Sequence, residues 1–188
     1  MLIVLAGLPG TGKSTIARLL AVRLKATYLR IDTIEQALRA CATLPAGVVT
    51  EGYAVAYHVA EDNLRAGGTV IADSVNPLAV TRDAWVAVAG RAAVPVLEVE
   101  VVCSDPSEHR RRVETRSTDV PGLPLPTWDA VQQRHYDPWI RPRLVLDTAS
   151  RTPAHCTEAV LLALPAQPLW GRFDNASLKP PVTVHGRP

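Results

Sequence analysis

Short apolar runs alternate along the chain with longer segments in which apolar residues recur every three or four positions. The apolar runs predict strands at about residues 2–6, 27–31, 69–73, 94–102 and 143–147. The longer segments predict helices from Lys13 to about Lys25, Asp32 to Ala40, Glu51 to Arg65, Thr81 to Gly90, Pro106 to Arg116 and about 127–137. This alternation predicts an α/β fold of three layers, in which a parallel sheet carries helices on both faces.

Length and composition predict one domain followed by a tail. A chain of 188 residues, 47% of them hydrophobic, has enough apolar side chains to fill a core, which we expect within residues 1–164. Residues 165–188 contain five prolines and no helical period, which predicts an extended, proline-rich tail. Our hypothesis is that Trp170 and Phe173 dock this tail on the domain.

Charge and cysteine content exclude several classes of protein. The 20 basic and 18 acidic residues give a formal charge of +2, so no overall field favours nucleic acid or a membrane surface. Cys41, Cys103 and Cys156 are widely spaced, which favours a reducing cytoplasm over a disulfide framework. The N-terminal apolar run is too short for a signal peptide or a membrane span, so we expect a cytoplasmic protein. The oligomeric state stays open.

A complete phosphate-binding P-loop directly follows the first apolar run, in the expected strand-loop-helix context. Its glycines allow backbone N–H groups to point at phosphate oxygens, and the following helix adds its positive end. We therefore expect a nucleoside triphosphate bound with Mg²⁺; the family resemblance described below implies that it is ATP. The predicted nucleotide-binding residues are Gly7, Leu8, Pro9, Gly10, Thr11, Gly12, Lys13, Ser14 and Thr15.

Two residues of this region and one further acid have predicted roles at the phosphates. Lys13 is expected to reach the β- and γ-phosphates, and the Ser14 hydroxyl to bind Mg²⁺. Asp73, which ends an apolar strand, is the second predicted Mg²⁺ ligand. The alternative for Asp73 is an aspartate that starts a turn before Pro77. Asn76, in the same loop, is a candidate substrate contact.

Asp32 is the predicted catalytic carboxylate. It follows the second predicted strand, which places it at the carboxyl edge of the sheet beside the P-loop. A carboxylate there can contact the substrate, orient an acceptor hydroxyl and accept its proton late in phosphoryl transfer. The alternative is an aspartate that only caps the following helix.

Arginines crowd the helix predicted over residues 106–116, and three prolines stiffen the loop after it. Residues of about 110–126 are therefore predicted to form a lid that carries arginines. Arg112 and Arg116 are four residues apart, so both could stabilise charge on the transferred phosphoryl group. The alternative is a solvated helix in which arginines pair with acidic neighbours.

Other candidates have weaker signals. Tyr53 and Tyr57 lie at helical spacing and could line a pocket for the acceptor, although such a pair also suits core packing. Arg151, in a polar loop after the last predicted strand, could stack on the nucleotide base. The alternative for this loop is the cap of a helix that begins near Pro153. No ligand spacing links the remaining histidines, which we expect at the surface: His109, His135, His155 and His185.

The segment Gly7 to Thr15, together with Asp32, Asp73 and the arginine helix, resembles the small P-loop kinases. That group includes gluconate kinase, shikimate kinase, chloramphenicol phosphotransferase and the kinase domain of polynucleotide kinase. The resemblance covers roughly residues 1–163 and is closest to bacterial proteins called AAA-family ATPases or predicted kinases, in which segments like residues 70–77 and 113–116 recur. It implies a five-stranded parallel sheet in the order 2-3-1-4-5, a lid with arginines, and Asp32 as the acceptor-activating base.

The predicted function is transfer of the γ-phosphoryl group of ATP to a hydroxyl of a small molecule. Two departures weaken closer assignments: no arginine follows Asp32 as in polynucleotide kinases, and no Asp-x-Asp pair occurs as in shikimate kinase. A nucleic-acid 5′-end kinase is one alternative, but the near-neutral charge does not indicate the basic groove it needs. An ATP-binding switch or slow ATPase is another, which a P-loop alone permits.

Overall fold

The structure, a computed structural model, describes residues 1–41 and 51–165. The strands in these ranges are β1 (Leu2–Ala6), β2 (Thr27–Arg30), β3 (Val70–Asp73), β4 (Val96–Val102) and β5 (Leu144–Asp147). The helices are α1 (Lys13–Leu24), α2 (Ile31–Ala40), α3 (Glu51–Arg65), α4 (Ala79–Arg91), α5 (Pro106–Thr115), α6 (Trp128–Gln132) and α7 (Pro153–Ala163). The predicted tail, with Trp170 and Phe173, lies beyond the described residues.

All five strands are parallel and lie in the order β2-β3-β1-β4-β5, which confirms the expected sheet and fold class. The strand that leads into the P-loop is therefore central, with β3 on one side and β4 on the other. Both β1 and β3 are buried throughout, because helices cover the two faces of the sheet. The register pairs Leu5 with Asp73 and Arg30 with Asp73, so the ends of β1, β2 and β3 meet at one edge.

Two apolar layers hold the helices on the sheet. Alternate residues of β1 face opposite sides, so Leu2 and Val4 pack with α3 and α4, where Trp85 is the largest fully buried side chain. Ile3 and Leu5 pack on the other side with α1 and α7. None of the helices in the described ranges combines the length and apolar character needed to cross a bilayer.

Helix α4 begins two residues before the predicted start. Its N-terminal capping position is Leu78, which makes no side-chain capping bond. Thr81 lies inside the first turn, where its hydroxyl donates to the Leu78 carbonyl oxygen at 2.8 Å. The structure therefore corrects the sequence-based expectation that Thr81 is the N-terminal capping residue of this helix.

Helix α6 is much shorter than the helix predicted over residues 127–137, because it ends at Gln132. The segment after it packs against the start of α4 instead. The Asp137 N–H donates to the Pro77 carbonyl oxygen at 2.8 Å, and the Asp137 carboxylate accepts from the Ala79 N–H at 2.7 Å. Pro138 also disfavours a helical conformation at Asp137. Tertiary hydrogen bonds thus replace those of the predicted helix.

Candidate active site

The P-loop curls tightly between β1 and α1. Gly7 and Gly10 have φ angles of 138° and 86°, in the region that favours glycine. A side chain at Gly7 would collide with the Val101 carbonyl oxygen, and a Cβ at Gly10 would lie 2.6 Å from the Val113 side chain. The backbone at these positions is therefore packed directly against β4 and α5.

Lys13 begins α1 and is only 7% exposed. Its Nζ atom donates to the Leu8 carbonyl oxygen at 2.8 Å, so the side chain folds back over the P-loop. Burial lowers the pKa of Lys13 to about 8, against the opposing effect of the Asp73 and Asp32 carboxylates. The ammonium group thus lies at the centre of the predicted phosphate site, between two acids.

Asp73 is the last residue of β3 and is almost fully buried. Its Oδ2 atom accepts a hydrogen bond of 2.7 Å from the Tyr28 hydroxyl. Burial and the nearby Asp73 carboxylate raise the pKa of Tyr28, which keeps this hydroxyl protonated as a donor. Asp73 therefore ends a strand and does not start the turn before Pro77. Tyr28 was not identified from the sequence, where it is one polar-tipped residue of a strand.

Ser14 and Asp73 line one cleft and fit a magnesium ion shared with a nucleotide. Mg²⁺ is usually bound through one or two carboxylates together with substrate phosphates, and a hydroxyl at the start of α1 suits the same shell. Within residues 1–41 and 51–165, no group of three or more His, Cys, Asp or Glu side chains could hold a metal ion by itself. The donor set at this edge of the sheet thus suits an ion that arrives with phosphates.

Asp32 lies in the first turn of α2 and lines the same cleft as Lys13 and Asp73. The N-terminal capping position of α2 is Arg30, so the alternative that Asp32 caps this helix is wrong. Its negative charge opposes the fall in the pKa of Lys13 and that of Arg116. A carboxylate without a capping role therefore faces the predicted phosphate site.

Helix α5 contacts the P-loop directly. The Nε2 atom of His109 lies 2.8 Å from the Pro9 carbonyl oxygen, and since a carbonyl only accepts, Nε2 donates this hydrogen bond. The imidazole is buried and meets Trp128 edge-on, with ring centroids 5.1 Å apart. The expectation that His109 is a surface residue is wrong. Its four-residue spacing from Val113, which packs on Gly10, could have indicated a buried helix face.

Arg112 and Arg116 have different surroundings. Arg112 donates to the Glu108 carboxylate at 2.7 Å and to the side chain and carbonyl oxygen of Thr148, both at 2.9 Å. Arg116 is half-buried, and its Nε atom has no hydrogen-bond partner in the described part of the chain. Burial lowers the pKa of Arg116, which Asp32 partly offsets. The alternative that the arginines pair with acidic neighbours thus describes Arg112. The Nε–H group of Arg116 has no acceptor among the described residues.

A cleft of about 700 Å³ brings the main candidates together. Its walls are the P-loop, the starts of α1 and α2, the end of β3, and the loop after α5, residues 116–127, which we call the lid loop. The predicted site residues that line it are Pro9, Gly10, Gly12, Lys13, Ser14, Thr15, Asp32, Asp73, Arg112 and Arg116. The P-loop, the carboxylates and the lid arginines therefore face one volume.

A second cavity of about 300 Å³ shares Gly12, Thr15 and Arg112 with the cleft and extends to Arg151 and Pro153. Helix α7 begins at Pro153, as the alternative for this loop expects, and its capping position is Thr152, whose side chain accepts from the backbone of that helix. Arg151 lines the second cavity together with Thr15, in the first turn of α1.

Three residues that were predicted to contact the acceptor do not line the cleft: Tyr53, Tyr57 and Asn76. Tyr57 donates to the Thr81 carbonyl oxygen at 3.2 Å and packs edge-on against Trp85, with ring centroids 4.6 Å apart. The Tyr53 hydroxyl accepts a hydrogen bond of 3.3 Å from the backbone of Asn76, which is fully buried. The core-packing alternative therefore describes both tyrosines.

Comparison with protein families agrees with this geometry. The model of the AAA_33 family, described as an AAA domain, matches residues 2–138. The chain belongs to this family. Its expected place among the small P-loop kinases is thereby confirmed, although no curated protein matches the chain.

Several solved structures have a similar fold. A candidate kinase from Chloroflexus aurantiacus has a TM-score of 0.66 at 19% identity, over 87% of this chain and 98% of that chain. Kti12 of Chaetomium thermophilum, in complex with ADP-AlF3, has a TM-score of 0.65 at 23% identity, over 88% and 100%. The APS kinase CysC of Mycobacterium tuberculosis, with AMPPNP and APS, has a TM-score of 0.60 at 23% identity, over 86% and 96%. At these identities the likeness is one of fold.

Proposed function

We propose that this protein is a kinase that transfers the γ-phosphoryl group of ATP, bound with Mg²⁺, to a hydroxyl of a small molecule. The observation that carries the proposal is the convergence of Lys13, Asp32, Asp73 and Arg116 on one cleft. A P-loop alone would suit any nucleotide-binding protein. Transfer to an acceptor also uses a carboxylate at the acceptor and a cation at the phosphoryl group. Asp32 does not cap α2, the Arg116 Nε atom has no hydrogen-bond partner among the described residues, and both side chains line this cleft.

In this proposal the P-loop amides and the Lys13 ammonium bind the phosphates of ATP. Ser14 and Asp73 hold Mg²⁺, which neutralises charge on the β- and γ-phosphates when bound. Tyr28 fixes the Asp73 carboxylate through its hydrogen bond of 2.7 Å. The second cavity receives the base, with Arg151 stacked on it.

Asp32 orients the acceptor hydroxyl for in-line attack and takes its proton as the new P–O bond forms, while the bond from the γ-phosphorus to the β,γ-bridging oxygen breaks and ADP leaves with that electron pair. Arg116 donates to the equatorial oxygens of the phosphoryl group as negative charge develops there. Arg112, which is tied to Glu108 and Thr148, supports the wall between the two cavities. The acceptor fits between Asp32 and the lid loop, on the side of the cleft away from the base.

The test is ATP consumption with Mg²⁺ against sugar acids, sugars, nucleosides and aminoglycosides, for the wild-type protein and for Asp32→Asn. Acceptor-dependent turnover that falls at least about 100-fold in the variant, with AMPPNP affinity unchanged, is the expected result. A matched control is Asp62→Asn, at an acid of helix α3 outside the residues that line the cleft. Slow hydrolysis that no acceptor stimulates and Asp32→Asn leaves unchanged would instead indicate a switch or ATPase.

A further inference from the structure

The Asp119 carboxylate joins the lid loop to two arginines of other elements that line the cleft. Asp119 accepts a hydrogen bond of 2.6 Å from Arg30 Nη1 on its Oδ1 atom, and one of 2.7 Å from Arg18 Nη1 on its Oδ2 atom. Arg30 ends β2 and Arg18 lies on α1, so two cations from different elements converge on one oxyanion. Its two oxygens each bind a different arginine, as the oxygens of a bound ligand would.

The two sides of this contact differ in burial. The Arg30 side chain is only 14% exposed, whereas Asp119 is 59% exposed. The Arg30 Nε atom is buried and has no hydrogen-bond partner in the described part of the chain. A buried N–H without an acceptor costs free energy that a bound oxygen atom would recover. The arginine is therefore built into the cleft wall, and the carboxylate that meets it belongs to an exposed loop.

The charges around the cleft also favour an anion in addition to the nucleotide. Seven basic side chains line it against four acidic ones. Two of the basic side chains have acidic partners on their own helices: Arg39 pairs with Glu35 and Arg112 with Glu108. Without Asp119 the lining would hold seven basic and three acidic side chains. The basic ones are Lys13, Arg18, Arg30, Arg39, Arg112, Arg116 and Arg134, and the acidic ones are Asp32, Glu35, Asp73 and Asp119.

We propose that Arg30 and Arg18 form a subsite for an anionic group of the phosphoryl acceptor, and that Asp119 occupies it until the acceptor binds. The inference rests on the proposed function, since it concerns the acceptor side of the same cleft. Arg30 lies two residues before Asp32, at the junction of β2 and α2. An acceptor that meets both is a compact molecule with a hydroxyl at one position and a carboxylate or phosphate at another.

The displacement of Asp119 is an exchange of one oxyanion for another. Ion pairs as exposed as Arg18 with Asp119 contribute little to stability, so an anionic ligand can replace the carboxylate. Bidentate or bridging contacts with guanidinium groups suit both carboxylate and phosphate oxygens. Release of Asp119 also frees the lid loop, which links acceptor binding to movement of the segment that begins at Arg116.

The test is calorimetric titration of the full chain, saturated with AMPPNP and Mg²⁺, with inorganic phosphate and, separately, with malonate. The two titrations distinguish a phosphate-type from a carboxylate-type subsite. We expect binding of one anion to tighten about two- to tenfold in Asp119→Asn, because the competing carboxylate is gone. We expect it to weaken at least about tenfold in Arg30→Gln and to be partly retained in Arg30→Lys.

Arg23→Gln is the matched control, because Arg23 pairs with Glu158 on the surface, away from the cleft. Equal affinities in the wild type, Asp119→Asn and Arg30→Gln would overturn the subsite, as would an Arg23→Gln effect as large as that of Arg30→Gln. Anion binding as described in a protein that transfers phosphate to no acceptor would overturn the proposed function alone. Turnover of neutral polyols with a KM unchanged in Arg30→Gln would overturn the subsite alone.

Discussion

The Nε2 atom of His109 and the carbonyl oxygen of Pro9 are 2.8 Å apart, so helix α5, which carries Arg112 and ends just before Arg116, is hydrogen-bonded to the P-loop itself. The two residues are 100 positions apart in the chain. A shift of α5 should therefore displace the backbone of the P-loop as well. The contact gives the Pro9 carbonyl oxygen a hydrogen-bond donor from a distant helix.

Removal of that donor should weaken nucleotide binding. His109→Phe keeps an aromatic ring against Trp128 but leaves the Pro9 carbonyl oxygen without its partner, at a cost of about 1–3 kcal/mol in unfolding free energy. We expect the Kd for AMPPNP to rise about three- to tenfold. Urea denaturation and calorimetry measure the two effects. His155→Phe, on an exposed position of α7, should change neither, and a normal Kd in His109→Phe would contradict the role of this contact.

Loss of the Tyr28 hydroxyl should impair the use of magnesium. Tyr28→Phe removes the hydrogen bond to the buried Asp73 carboxylate and leaves its orientation less constrained. Outer-shell partners of metal ligands typically affect metal affinity or activity by about 10–100-fold, so we expect the Mg²⁺ concentration for half-maximal turnover to rise about tenfold. Tyr136→Phe, at a tyrosine outside the cleft lining, is the control. An unchanged Mg²⁺ dependence would mean that Tyr28 only packs.

The pKa of Lys13, lowered to about 8 by burial, predicts a pH-dependent stability of the nucleotide-free protein. Because the folded pKa lies below the unfolded value of 10.5, the unfolded state binds more protons between pH 8 and 10.5. The cost of burying the charged amine is therefore complete below pH 8 and is relieved as pH rises through this window. Lys13→Met does not carry this cost, so its advantage in unfolding free energy over the wild type should shrink by about 1 kcal/mol from pH 7 to 9 in urea denaturation.

The same pKa predicts how nucleotide affinity depends on pH. Phosphates need the charged form of Lys13, so AMPPNP binding should weaken above about pH 8 and should take up a proton there. Calorimetry in buffers of different ionisation enthalpy measures that proton. Lys13→Met should bind more weakly at every pH but without this decline. A parallel decline in Lys13→Met would assign the effect to another group.

Substitution of Arg112 should mainly affect stability, and substitution of Arg116 should mainly affect catalysis. Arg112→Ala removes the hydrogen bonds from its guanidinium group to Glu108 and to the side chain and carbonyl oxygen of Thr148, and we expect it to lower the unfolding free energy by about 1–2 kcal/mol. Arg116→Ala removes a half-buried charge whose Nε atom has no hydrogen-bond partner within residues 1–41 and 51–165, so stability should be unchanged or higher. Its kcat should fall about 100- to 1,000-fold, as on loss of a donor to the transition state. A large kcat effect in Arg112→Ala only would reverse the assignment.

Much of the fold and part of the site could be predicted from the sequence. Continuous apolar runs such as Leu2–Ala6 suit strands that are buried on both faces of a parallel sheet, and the predicted bounds of β1 agree with the observed ones. The P-loop is a local motif, because Gly7, Gly10 and Gly12 have positive φ angles, a backbone conformation that favours glycine. Asp73 ends β3 and Asp32 comes two residues after β2, and in a parallel sheet those strand ends meet at one edge.

Contacts between distant segments could not be predicted in this way. The helical spacing of Tyr53 and Tyr57 suits a pocket or a core equally, and only Trp85, on another helix, decides for the core. The pairing of Asp119 with Arg18 and Arg30 likewise depends on how α1, β2 and the lid loop pack. The sequence by itself determined the strands, the sheet edge and the phosphate loop, since these follow from local backbone needs and apolar periodicity. The tertiary structure alone decided which polar side chains share the cleft, because that depends on the packing of residues about 100 positions apart.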